Sequence, residues 1–101
     1  MKTYTFIVEY NDKHHTHQTV TPKSFGWALE QWIDVIAKVL SQEEKPLADT
    51  FAPLFLLDLR ENLLNFPPRL INEVINVWFT AFNMMGRELR LHIVRTDQPD
   101  T

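Results

Sequence analysis

Two stretches of regular alternation stand near opposite ends of the chain, and they limit the fold more than anything between them. In the first, Tyr4, Phe6, Val8 and Tyr10 alternate with Thr3, Thr5, Ile7 and Glu9. In the second, Leu89, Leu91 and Ile93 alternate with Glu88, Arg90 and His92. A period of two sends successive side chains to opposite faces of a strand, so each stretch offers one apolar face to a core. Each also has a neighbour across a turn. Asn11-Asp12-Lys13 leads from the first strand into a second over about 14–20, rich in Thr, poor in large apolar residues and suited to a sheet edge. Asn83-Met84-Met85-Gly86 joins the last strand to an apolar segment over 74–82, with Gly86 free to take positive φ.

Between the hairpins the period changes. Thr21-Pro22 reads as a helix start, with Thr as N-cap and Pro in the first helical position. Phe25, Ala28, Leu29, Trp32, Ile36, Val39 and Leu40 follow on one stripe, with Ile33 and Val35 at its flanks, and the helix should end near Ser41. Glu30, Asp34 and Lys38 fall opposite the stripe, and so does Trp27. A charged linker over 42–46 follows. A second helix is expected from Thr50, with Pro53 in its first turn, to about Leu64, ended by Pro67-Pro68.

The expected fold is therefore α+β: a single antiparallel sheet from two β-hairpins, in the order ββ-α-(α)-ββ, with the first helix packed on one face. Residues 1–96 form one domain, as the 101-residue length requires, and 97–101 a flexible tail. Docking should bury Phe6, Val8, Phe25, Leu29, Trp32, Ile36, Val77, Phe79, Leu89, Leu91 and Ile93, each contributing about 1.5–3 kcal/mol if fully buried. A hairpin followed by a helix opening at Thr21-Pro22 resembles the first half of HicB-like antitoxins at the level of fold, and no residue's role carries over from that.

Composition excludes more than it assigns. There is no cysteine, so neither a disulfide scaffold nor a thiolate metal site is possible, and a reducing, cytoplasmic setting fits. The net charge of −3 disfavours nucleic acid as a partner. The segment Met1 to Glu9 meets a charge too early for a signal peptide, and no apolar run is long enough to span a membrane. With only Gly26 and Gly86, no Gly-rich phosphate cradle exists, and no nucleophile triad or zinc-helix motif is spelled out. The reading leans away from an enzyme, and no cofactor is implied.

What remains are surfaces. The sheet face away from the first helix is expected to carry Thr5, Ile7 and Glu9, then Asn76, Trp78, Thr80 and Phe82, then Arg90 and His92. Its Trp78, Phe82 and Arg90, together with Trp27 on the helix, are the candidate interface residues, unless 46–68 folds over them. The leading expectation is a protein-binding or regulatory module that self-associates through this face or through the edge strand before the helix. The alternative is a histidine-based site for Zn²⁺, Ni²⁺ or Cu²⁺, or for a small ligand, at His15, His17 and His92, since His15 and His17 share a strand face about 7 Å apart. A third is single-stranded nucleic-acid binding by stacking beside Arg90. Glu30 and Asp34, four residues apart, read as a solvated face with Lys38 in ion-pair range.

Overall fold

The computed structural model describes residues 1–42, 48–71 and 76–97. Its strands are β1 (Lys2–Tyr10), β2 (Lys13–Thr21), β3 (Arg69–Leu70), β4 (Val77–Met84) and β5 (Arg87–Asp97), and its helices are α1 (Phe25–Gln42) and α2 (Ala48–Asn65). They form one five-stranded antiparallel sheet in the order β2-β1-β5-β4-β3, with both helices on one side. The α+β architecture is the expected one, and β2 lies at the edge where its polar sequence placed it. The two-residue strand β3 was not anticipated. Of the linker expected at 42–46, Gln42 closes α1 and 43–46 lie outside the described residues, as do Val74, Ile75 and 98–101, while Asp97 closes β5 rather than opening a tail.

Both hairpins turn in two residues. Asn11 and Asp12 take φ of 55° and 60°, and Met85 and Gly86 take 51° and 78°. Two consecutive left-handed residues match the twist of the flanking strands, which is why such turns suit tight hairpins. The second turn is shorter than Asn83–Gly86, because Asn83 and Met84 already pair with Glu88 and Arg87. Met84 is buried, and its carbonyl accepts a hydrogen bond from the Tyr10 hydroxyl at 3.1 Å. That tie holds the two hairpins together near their tips and keeps Met84 in the ladder.

Helix α1 begins at Phe25, not at Pro22. Ser24 is the N-cap: its Oγ accepts from the Trp27 N–H at 3.3 Å, and its carbonyl accepts from the Ala28 N–H at 3.1 Å. The Thr21 hydroxyl instead accepts from the Lys23 N–H at 3.0 Å, a local turn that carries the chain from β2 to the helix. The α1 stripe lies on β1. Phe6 and Trp32, both fully buried, stack at 5.2 Å with planes 9° apart. Phe25 stacks on Trp78 at 4.6 Å and meets Tyr4 edge-on at 5.8 Å.

Helix α2 starts before Thr50, so Pro53 falls in its second turn. It buries Phe55, Leu59 and Leu63, and Phe55 meets Tyr10 edge-on at 5.8 Å. It packs beside α1 on the same side of the sheet, so the described part of 46–68 does not cover the opposite face. The Phe66 carbonyl beyond its end accepts from the Thr80 hydroxyl at 2.6 Å. No helix of the described residues is long and apolar enough to cross a membrane.

The Phe6–Trp32 stack ties sheet to helix at the centre of the core. Trp32→Ala should lower the unfolding free energy by about 3–5 kcal/mol. Trp27→Ala, which removes a partly buried ring holding Lys23 Nζ 4.7 Å from its centroid, should cost under about 2 kcal/mol. Urea unfolding followed by circular dichroism separates the two.

Candidate interaction face

The helix-free face is built by register. One row across the sheet runs Gln18, Thr5, Val94, Val77, and the next Thr16, Ile7, His92, Phe79, Arg69. A third runs His14, Glu9, Arg90, Ala81. Ile7, Val77, Phe79, Ala81 and Val94 thus form an apolar block that lies mostly on β4, and the Phe79 and His92 rings lie 4.7 Å apart, tilted at 45°. Phe79 is 36% exposed, while the other members of the block are half-buried by their neighbours in the sheet.

Toward the hairpin tips the face turns charged. Glu9, Lys13, His14, Arg87, Glu88 and Arg90 line an open basin of ≈ 600 Å³ between the two turns. His14 Nδ1 lies 3.5 Å from Glu9 Oε1, and Arg90 Nε donates to Glu88 Oε1 at 3.0 Å. The hydrogen bond to Glu88, then its charge, pushes the Arg90 guanidinium pKa up. Acids and bases alternate here, so the basin offers no single-sign field.

The face differs from the expected one in its β4 residues. Trp78 and Phe82 point to the helix side: Trp78 packs on Phe25, and Phe82 is buried. Val77 and Phe79, expected in the core, lie on the helix-free face instead. Alternation could not decide the parity, because β4 is apolar on both faces. Thr80, also expected on the helix-free face, is buried on the helix side with its hydroxyl satisfied by the Phe66 carbonyl. Of the candidate interface residues, only Arg90 lies on this face. Trp27 is partly buried on α1 under the Lys23 ammonium.

The histidines divide in the same way. His15 and His17 pair with Val8 and Phe6 and so point to the helix side, whereas His92 pairs with Ile7 on the other. The sheet stands between them. Among the described residues no group of three or more His, Cys, Asp or Glu is placed to hold a metal ion.

Arg60 is the residue that sequence reasoning missed. From α2 it donates to Glu30 Oε2 at 2.6 Å and to Asp34 Oδ1 at 3.1 Å on α1, and the Glu30 hydrogen bond leads in raising its pKa. The paired carboxylates are therefore a clamp on the neighbouring helix. Their spacing on one helix face was visible, but the third partner comes from an element 26–30 residues away.

No protein-family model matches the chain, and no characterised protein or solved structure is significantly similar to it. A functional reading must therefore come from the residues.

The face assignment is directly testable. Phe79→Asp, which loses a partly buried ring and places Asp in a strand, should cost about 1–2 kcal/mol, whereas Phe82→Asp, which buries a carboxylate, should cost more than about 4 kcal/mol or prevent folding. Thermal unfolding of the two variants would reverse this order if the β4 parity were the opposite one.

Proposed function

We propose that this protein is a small protein-binding module that also self-associates, and that its helix-free sheet face receives the partner protein. The observation that carries this reading is the apolar block Ile7, Val77, Phe79, Ala81 and Val94, left without a helix while α1 and α2 both pack on the other side. An antiparallel sheet with one wet face normally alternates apolar-in and polar-out, and here both sides of β4 are apolar. An apolar centre flanked by charged residues of both signs is the usual anatomy of a protein interface.

The charges favour a polypeptide over nucleic acid. Arg90 is already engaged by Glu88 and faces Glu9 across the strands, so it brings little free positive charge to a phosphate backbone. The acidic net charge of −3 works in the same direction.

Selection of a random peptide library displayed on phage against the immobilised protein tests the partner surface. Enriched peptides should bind the wild type and lose at least about tenfold in affinity to Phe79→Asp, as expected for removal of a central apolar anchor. Peptides that bind Phe79→Asp as well as the wild type, or no enrichment at all, would count against this face.

A further inference from the structure

The two edges of the sheet are finished differently. Strand β3 closes one edge with two residues, too short to template another strand. Strand β2 closes the other with nine, paired to β1 without a bulge from Thr21 to Lys13. It holds no proline, and its one permanent charge is Lys13, at the turn end. Long edges are ordinarily guarded by proline, a bulge or a central lysine, and β2 has none of these. The two-residue turn at Asn11-Asp12 makes Tyr10 and Lys13 a hydrogen-bonded pair, so His14, Thr16, Gln18 and Val20 turn their N–H and C=O groups outward. No backbone hydrogen bond from another described element reaches them.

The alternate residues of β2 carry their side chains to the helix side. There His15 and His17 stand about 7 Å apart, both half-buried. Imidazole suits Zn²⁺, Ni²⁺ and Cu²⁺, but two rings are half of a tetrahedral set. Among the described residues no further ligand of the same chain joins them.

We infer that a second copy of the chain docks on β2, strand to antiparallel strand about a two-fold axis through Thr16, and that a divalent ion of the Zn²⁺ class locks the pair through His15 and His17 of both copies. The inference rests on the self-association half of the reading above and gives it a surface and a ligand.

Any free edge can pair with itself, so it is the histidines that select the register and the occupant. Pairing about Thr16 is the one antiparallel register that sets His15 opposite His17 of the second copy, and symmetry does so twice. These fall at non-hydrogen-bonded positions of the new pair, where Cα atoms approach to about 4.5 Å and side chains lie closest. Four imidazoles then share one face in a block of roughly 5 by 7 Å. That is small enough for all four to converge on one ion with Zn–N bonds of about 2.1 Å. A foreign strand leaves the set at two ligands unless it brings the same pair at the same spacing, whereas a second copy brings it by symmetry. A metal-bound imidazole uses one nitrogen and keeps the other for a hydrogen bond, so the contacts that His15 makes within its own chain are compatible with ligation.

The helices leave room for this. Strand β1 and its copy would lie three strand spacings apart, roughly 14 Å. Helix α1 packs across β1 and β2, so the two α1 axes would stand roughly 10–14 Å apart, no closer than helices ordinarily pack. The helix-free faces of the two copies join on the opposite side, still open to a partner.

Sedimentation equilibrium of the full chain from about 1 to 200 μM tests this, in EDTA and in Zn²⁺ at half the chain concentration, with wild type, His17→Ala, Thr16→Lys and His92→Ala side by side. Zn²⁺ should make the wild-type dimer at least about 100-fold tighter than in EDTA, and calorimetry should give one ion per two chains. His17→Ala removes two of the four ligands and should hold the Zn²⁺ effect below about fivefold. Thr16→Lys keeps every ligand but sets like charges opposite each other at the axis, and should weaken the Zn²⁺ dimer at least about tenfold. His92→Ala, on the other face, should match the wild type. Circular dichroism checks each fold, and His17→Ala and Thr16→Lys each read the same edge, so either suffices if the other misfolds. A wild type that is monomeric in both buffers overturns the inference and the self-association it rests on. A dimer equally tight in EDTA and Zn²⁺, or one untouched by Thr16→Lys, overturns the inference alone. Loss of the Zn²⁺ effect in His92→Ala, one ion per chain without pairing, or open-ended growth in Zn²⁺ overturns it as well, the last two marking adventitious chelation.

Discussion

The pairing of β1 with β5 is the constraint on which the rest of the molecule depends. Nine consecutive register pairs, from Lys2 with Asp97 to Tyr10 with Leu89, join the two hairpins into one sheet. Tyr4, Phe6, Val8 and Tyr10 then lie beside Leu89, Leu91 and Ile93 on the same face, all of them buried. Neither hairpin alone has a surface wide enough to bury a helix, and an isolated hairpin is marginal in water. Together they make the apolar floor on which Trp32 stacks.

With that floor in place, the helix layer follows from the residues. The α1 stripe is broad enough to contact both β1 and α2: Trp32 and Ile36 reach the sheet side, while Ile33 and Ala37 are buried at its flank. Helix α2 completes the layer through Phe55, Leu59 and Leu63, and Arg60 clamps it to Glu30 and Asp34. These ion pairs are partly exposed, so they contribute modestly, on the order of 0.2–1 kcal/mol each, and serve chiefly to align the two helices. The layer fills one side of the sheet and leaves the other to the side chains of Ile7, Phe79, His92 and their neighbours.

Much of this was legible in the sequence where one period dominated. The strands at both ends, the polar edge strand and the α1 stripe each followed from a clean alternation or a clean helical spacing. The failures occur where two physical demands coincide. Thr21-Pro22 carries helix-start chemistry, but Thr21 is paired in β2 with Lys2, and Ser24 is the residue free to cap. In β4 the pattern held no information about parity, since a long-range hydrogen bond to Phe66 allows Thr80 to be buried. In α2 the apolar residues were too dense for one stripe: Phe55, Leu59 and Leu63 are buried, while the neighbouring Leu54, Leu57 and Leu64 are exposed. The site was less legible than the fold for the same reason: His15, His17 and His92, and likewise Trp78 and Phe82, depend on which face each strand turns to the helices, and that is settled by tertiary packing.

The position of β5 has a consequence for how the chain must assemble. It is the centre of the sheet, with β1 on one side and β4 on the other, yet it follows every other element in sequence. On a growing chain, β1, β2 and α1 are complete while one entire edge of β1 is bare, and its apolar face has only half its floor. The long-range contacts that finish the core are then made late, which slows folding relative to a chain built from local contacts. For the same interval the uncovered backbone of β1 is open to any extended segment nearby. Vectorial synthesis therefore places the greatest exposure of this protein before the folded state exists, on a strand that ends up among its best protected.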